Sequence, residues 1–224
     1  MYRINRLNRP VLITVDEVIT QCAMDQDADI RYIMNSIIVA EERWIRPTLG
    51  NAMYRDFVAM KNVVVTADNQ SDLVDAISAS LEADGKDPIT VDALPLGIMV
   101  NAIELVTNAK YVELWQTYLW KITAECVDVS CVVPSWLRHT AAGQQKNNPV
   151  VVGGNTEGSA TGDRKDVEYK IDSHINSRIV PLIAAMEQWM LEVGGFPLYP
   201  ACQKKKECGP VMGNKGGIIF GIYD

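Results

Sequence analysis

The chain of 224 residues is 48% hydrophobic and carries a net charge of −7. That apolar content is enough for a sizeable core, and the acidity disfavours a nucleic-acid reader, which must neutralise phosphates with clustered Lys and Arg. No apolar run approaches the roughly 20 residues of a membrane helix, since the best, IVPLIAAM, is closely flanked by Arg178, Glu187 and Glu192.

In chain order, residues 1–13 read as an extended basic arm carrying Arg3, Arg6 and Arg9. Its only apolar segment, VLI, is too short for a secretory signal, so synthesis in the cytoplasm is expected. Thr14, with Glu17 three residues on, forms a capping-box pattern that opens a short helix to about Cys22. Asp25, Asp27 and Asp29 alternate next. They lack the Gly and distal Glu of a calcium loop and read as a solvated, acidic helix start. Ile30, Ile33, Ile37, Ala40 (or Glu41) and Trp44 recur at helical spacing, which predicts an amphipathic helix over 28–46. Pro47 and Gly50 then turn the chain. Beyond them Tyr54, Phe57 and Val58 share one side of a helix ending near Lys61. The stretch AEERWIRPTLGNAMYRDF is therefore a helix, corner, helix unit, with Trp44, Pro47 and Gly50 as the structural corner. Its aromatics either close the domain's own core, the commoner fate of such residues, or face a neighbour.

VVVTADNQS is a linker with room for a short strand, and Ser71 is placed to cap a helix through about Ala83, with Leu73, Ile77 and Leu81 on one face. DGKDPITVDALPLG is rich in turns. Gly97 to about Ala124 has no Pro or internal Gly, and Ile98, Ala102, Leu105, Ala109, Val112, Trp115, Leu119 and Ile122 form a stripe. That spacing predicts a helix roughly 40 Å long, the backbone of the domain. Residues 143–165 hold five glycines and few large side chains beyond Val150, Val151 and Val152, and read as a long loop leaving the domain. A last helix is expected from about Arg164 to Val193, kinked or divided by Pro181. The tail ends in Ile218, Ile219, Phe220, Ile222 and Tyr223 after a Gly-rich spacer. Such a segment must dock, as a strand either on its own domain or on a neighbouring chain. The fold class expected is mostly α: a helical bundle over 14–200 with the inserted loop 143–165, between an N-terminal arm 1–13 and a C-terminal arm 201–224.

Motifs for chemistry are sparse. The five cysteines, Cys22, Cys126, Cys131, Cys202 and Cys208, form no CxxC pair and read as reduced thiols. Cys202 and Cys208 with His139 and His174 make no recognisable zinc set, so neither metal nor cofactor is expected. Gly153 to Gly158 has the first spacing of a phosphate loop, but Ser159 stands where its Lys must be. Ser135, near His139, lacks the flanking glycines of a nucleophile elbow. His174 reads as structural or exposed. Rival classes remain: a small hydrolase using Ser135 or a carboxylate pair, and a helical scaffold or chaperone acting as monomer or dimer.

Three stretches together resemble the head-to-tail connector (adaptor, or head-completion) proteins of tailed bacteriophages, those of crAss-like gut phages among them. They are ITVDEVITQCAMDQDADIRYIMNSIIVAEERWIRPTLGNAMYRDF, with its I-x-P-x-L-G-x-x-x-Y corner; AKYVELW; and INSRIVPLIAAMEQWMLE leading to FPLYPAC. The resemblance covers most of the chain through loose motifs. It implies a non-enzymatic virion protein that forms a ring, usually dodecameric, below the portal protein. The ring joins the DNA-filled head to the tail and lets the genome pass without specific contact. Its partners would be itself, the portal and other tail or connector rings. Inter-subunit or portal contacts would then fall on Tyr54, Arg55 and Phe57, on the valines of the loop and on the apolar C-terminus, with both arms lending strands to neighbours. Net acidity suits a channel that repels phosphate.

Overall fold

The computed structural model describes residues 3–5, 9–22, 30–83, 85–140, 143–146 and 164–201. The protein is a mostly helical bundle. Strand β1 (Arg3–Asn5) precedes helix α1 (Val15–Gln21), which Thr14 and Glu17 open as expected: Glu17 Oε2 accepts from the Thr14 amide at 2.8 Å and its hydroxyl at 3.0 Å. Helix α2 (Ile30–Ala40) runs through a π-helical turn, Glu41–Ile45, into α3 (Arg46–Leu49), and α4 (Asn51–Lys61) follows Gly50. Next come β2 (Asn62–Val64), α5 (Gln70–Ala83) and β3 (Met99–Asn101). Helix α6 (Ala109–Leu114) continues through a second π turn, Trp115–Leu119, into α7 (Trp120–Trp136). Strands β4 (Leu137–Thr140) and β5 (Gly143–Lys146) form a hairpin, and α8 (Arg164–His174) passes through a third π turn, Ile175–Ile179, into α9 (Val180–Val193).

Helix α7 is the hub. Ile122, Cys126 and Val129 bury one of its sides, and Thr123, Val127 and Cys131 another, so it packs on α1, α2 and α8 at once. A helix apolar on more than one side belongs at the centre of a bundle. Ile33 and Ile37 of α2, Met53 and Phe57 of α4, and Met186 and Met190 of α9 complete the main core. A smaller core lies between α5 and a three-stranded antiparallel sheet ordered β1-β3-β2, where Val100 stands opposite Ile4 and Val63.

Four expectations need correction. The long helix does not begin at Gly97. Residues 99–101 are the central strand of the sheet, Ile103–Leu105 form a 3-10 turn, and the helix starts only where Asn108 Oδ1 caps the Lys110 amide at 3.0 Å. β-Branched Ile98, Val100, Ile103 and Val106 suit a pleated segment, and backbone pairing on both sides overrides the helical periodicity.

Pro47 does not end its helix either. The preceding π turn hands the Arg46 amide to the Glu41 carbonyl, five residues back, and Pro47 then sits in the first turn of α3. The same arrangement recurs where the Val180 amide reaches the Ile175 carbonyl just ahead of Pro181. Widening one turn loosens the ladder where a proline would otherwise clash with the carbonyl four residues back.

The extended N-terminal arm expected to lend a strand to a neighbour pairs within its own chain where residues 3–5 form β1 against β3, and Val11, Leu12 and Ile13 are buried. The loop expected from 143 opens as a strand, with Gly143 opposite Thr140 and Lys146 opposite Leu137. Asp25, Asp27 and Asp29, the valines 150–152, Cys202, Cys208 and the C-terminal Ile218 to Tyr223 lie outside the described residues. Among the described residues, no helix is long and apolar enough to cross a membrane.

Candidate functional site: the corner, its buried clasp and an outer polar cluster

The corner is built from Gly50. Its φ of 79° and ψ of 150° fall in a region of backbone space open essentially to glycine alone. A Cβ there would stand 2.4 Å from Pro200 Cγ and 2.7 Å from its Cδ, so Gly50 also gives the C-terminal FPLYP segment its seat. Arg46 braces the outside, donating from Nε to Asn51 Oδ1 at 2.9 Å and from Nη1 to both Glu42 oxygens at 2.7 and 2.9 Å. Trp44 is half-buried and Pro47 exposed.

Of the three residues expected to face a neighbour here, Arg55 is exposed, whereas Tyr54 and Phe57 are buried in their own core. The reason is the phase of α4. Met53, Tyr54, Phe57, Val58 and Lys61 share its inward side. Tyr111 stacks on Phe57 at 4.9 Å between ring centroids and on Phe196 at 6.3 Å. AKYVELW therefore lies between the corner helix and FPLYP.

Inside the corner is a dry polar clasp. Glu41, at the start of the first π turn, is 1% exposed. Its Oε1 accepts from the Leu12 and Ile13 amides at 2.8 and 3.2 Å, and its Oε2 from the Tyr54 hydroxyl at 2.7 Å. Lys61, wholly buried at the end of α4, donates to the Leu12 carbonyl, lies 3.5 Å from Glu17 Oε1 and sits 3.4 Å above the centre of the Trp115 ring. Asn62 and Asn101 both donate to the Val11 carbonyl, at 2.8 and 2.7 Å. Residues 11–14 thus have their backbone satisfied by side chains from α1, the α2 π turn, α4, β2 and β3. Burial pushes Glu41 up to about 7 and Lys61 down to about 8, against the pull of their hydrogen bonds and opposite charges. The helical spacing of α2 allows either Ala40 or Glu41 at one inward position, and both are buried where the π turn begins. Nothing in the spacing marked Lys61.

The second cluster is only half enclosed. On α7, Glu125 and Asp128 are one turn apart, and His174 ends α8 facing both: its Nδ1 is 3.3 Å from Asp128 Oδ2 and 3.8 Å from Glu125 Oε2. Arg178 approaches Glu125 Oε1 at 3.1 Å, and Lys170 Nζ lies 3.8 Å from Asp128 Oδ1.

Ser135 Oγ donates to the Val132 carbonyl at 2.9 Å within its own helix, and the side chain of His139 lies outside the described residues. Cys22, Cys126 and Cys131 are buried free thiols. Desolvation raises all three, Cys22 to about 12, which keeps them protonated and unreactive near neutrality.

Comparison with protein-family models, curated proteins and solved structures finds no match.

Proposed function

We propose that this chain is a structural subunit that assembles with copies of itself, a head-to-tail connector ring protein of a tailed bacteriophage. The observation that carries the reading is that the three stretches behind the resemblance meet in space. The corner presents Gly50 and Phe57, AKYVELW inserts Tyr111, and FPLYP returns Phe196 and Pro200 onto them. Motifs scattered along the sequence thereby form one structural unit. Polar groups in that unit are spent on holding its own backbone, as suits a part whose task is to keep shape.

The subunit contact moves away from Tyr54 and Phe57. On α9, Val180, Pro181, Ala184 and Ala185 are exposed together, small apolar residues at helical spacing. A second copy of the chain is the occupant this face suits, because a heterologous contact that closes into a ring buries one such face in every subunit. Residues 150–152 and the apolar C-terminus remain proposed contacts by sequence, and the portal protein and neighbouring tail rings the proposed partners. The virion's head-tail junction is the proposed location.

The test is the solution mass of the full chain by light scattering, alone and with a portal protein, alongside Ala184→Arg. A closed multimer, formed alone or on the portal and reduced by Ala184→Arg with helical content unchanged, is expected. A chain that stays monomeric under both conditions overturns the reading.

A further inference from the structure

We propose that Glu125, Asp128 and His174 form a binding site for a divalent transition-metal ion of the zinc class, which ties α8 to α7. The proposal is independent of the connector reading.

Three donor atoms converge. The nitrogen and carboxylate oxygens of this trio lie within 4.8 Å of one another. Around a tetrahedral ion with ligand bonds of about 2.1 Å, neighbouring donor atoms stand about 3.4 Å apart. The His174 Nδ1 separations of 3.3 and 3.8 Å from Asp128 Oδ2 and Glu125 Oε2 match that spacing with little movement. A second observation comes from the imidazole. His174 Nδ1 is buried and makes no hydrogen bond, despite two carboxylate oxygens facing it. The nitrogen lone pair and the two carboxylates can share a metal ion in that gap, in place of the proton that otherwise joins an imidazole to a carboxylate.

The flanking charges fit the outer positions. Glu125 presents Oε2 to His174 and Oε1 to Arg178, which also lies 3.4 Å from Oε2; Asp128 presents Oδ2 to His174 and Oδ1 to Lys170. Arg178 and Lys170 are each more than half exposed, so both can swing into water when a divalent charge arrives, and such exposed pairs hold weakly. An imidazole nitrogen with only three protein ligands favours zinc and its neighbours over calcium or magnesium, which take more oxygens. The pattern is hidden in sequence because its ligands come from two helices joined across a long insertion, with no C-x-x-C or H-x-x-x-H spacing.

Co2+ titration of the full chain at pH 7.5 is the experiment, because its visible absorption separates nitrogen and oxygen ligands from thiolates. Zn2+ is then used to displace it. Saturable binding with a nitrogen and oxygen spectrum is expected, weakened about 10-fold or more by His174→Gln and by Asp128→Asn. Arg178→Ala, which removes a competing cation from the surface, should tighten binding several-fold, an effect that a folding defect cannot imitate. Absence of saturable binding, a thiolate spectrum, or affinity indifferent to all three substitutions overturns the proposal.

Discussion

In the clasp and on the outer side of α7 acid meets base, and the surroundings decide what each meeting does. In the clasp, Glu41 and Lys61 are sealed from water and their polar atoms turn toward backbone groups of residues 11–14. On the outer side of α7, Glu125 and Asp128 meet Arg178 and Lys170, whose long side chains remain more than half in solvent. The first arrangement locks a segment into the core, because breaking it strands buried charges and amides. The second can exchange one cation for another at little cost. Similar side chains thus serve architecture in one place and offer a binding opportunity in the other.

The sharpest way to break this contrast is Lys61→Ala. It removes the donor to the Leu12 carbonyl, the charge facing Glu17 and the ammonium over Trp115. Loss of one partner from a buried charge assembly costs about 3–5 kcal/mol, read as a lower urea midpoint with the slope unchanged. A loss below about 1 kcal/mol, the scale of an exposed ion pair, would erase the distinction.

An intermediate effect concerns pH. Glu41 is raised from its ordinary 4.5 to about 7, so its contribution favours the folded state below pH 4.5 and is lost as pH rises through 7. Lys61 is lowered from 10.5 to about 8, so its contribution is present above pH 10.5 and lost as pH falls through 8. Both contributions are therefore at their smallest between pH 7 and 8. Glu41→Gln keeps one oxygen to accept from the Leu12 and Ile13 amides, turns an amide NH2 to the Tyr54 oxygen and removes the titration, and thermal melts should show a smaller fall in Tm between pH 5 and 7.5 than in the parent chain. An identical fall in both proteins would assign the pH response to other groups.

The smallest effect belongs to the outer cluster. Arg178→Ala should change the unfolding free energy by less than about 1 kcal/mol, because the pair it breaks is open to water. Chemical denaturation in low salt checks this, and a loss as large as that of Lys61→Ala would make the two sites equivalent.

Much of the bundle was legible because periodicity reports burial directly. Ile33 and Ile37 of α2 fell on the inward face their spacing indicates, Tyr54, Phe57 and Val58 share one side of α4 although the first two close their own core instead of meeting a neighbour, and the Thr14 cap formed as its pattern requires. Errors arose where a distant segment decided the outcome. The Ile98 to Leu105 stripe fits a helix until strands from residues 3–5 and 62–64 claim its backbone. A proline reads as a breaker unless the preceding turn widens, as Glu41–Ile45 and Ile175–Ile179 do here. Only part of the clasp was legible: Glu41 shares an inward position with Ala40 in the α2 spacing, whereas a lone Lys such as Lys61 ordinarily marks a solvent-facing position. The outer cluster was invisible because nothing local links Glu125 to His174.

The seat that Gly50 offers to Pro200 also has a consequence in time. A chain emerging from the ribosome presents the corner long before the segment that covers it, just as β1 appears well before β3. The early helices must therefore wait with Phe57 and the Gly50 face uncovered until Tyr111, Phe196 and Pro200 arrive. Closure of these distant pairs is slow relative to helix formation. Synthesis of FPLYP, beyond α9, becomes the event that completes the corner ahead of α4, and premature contact between unfinished chains is the hazard of the interval.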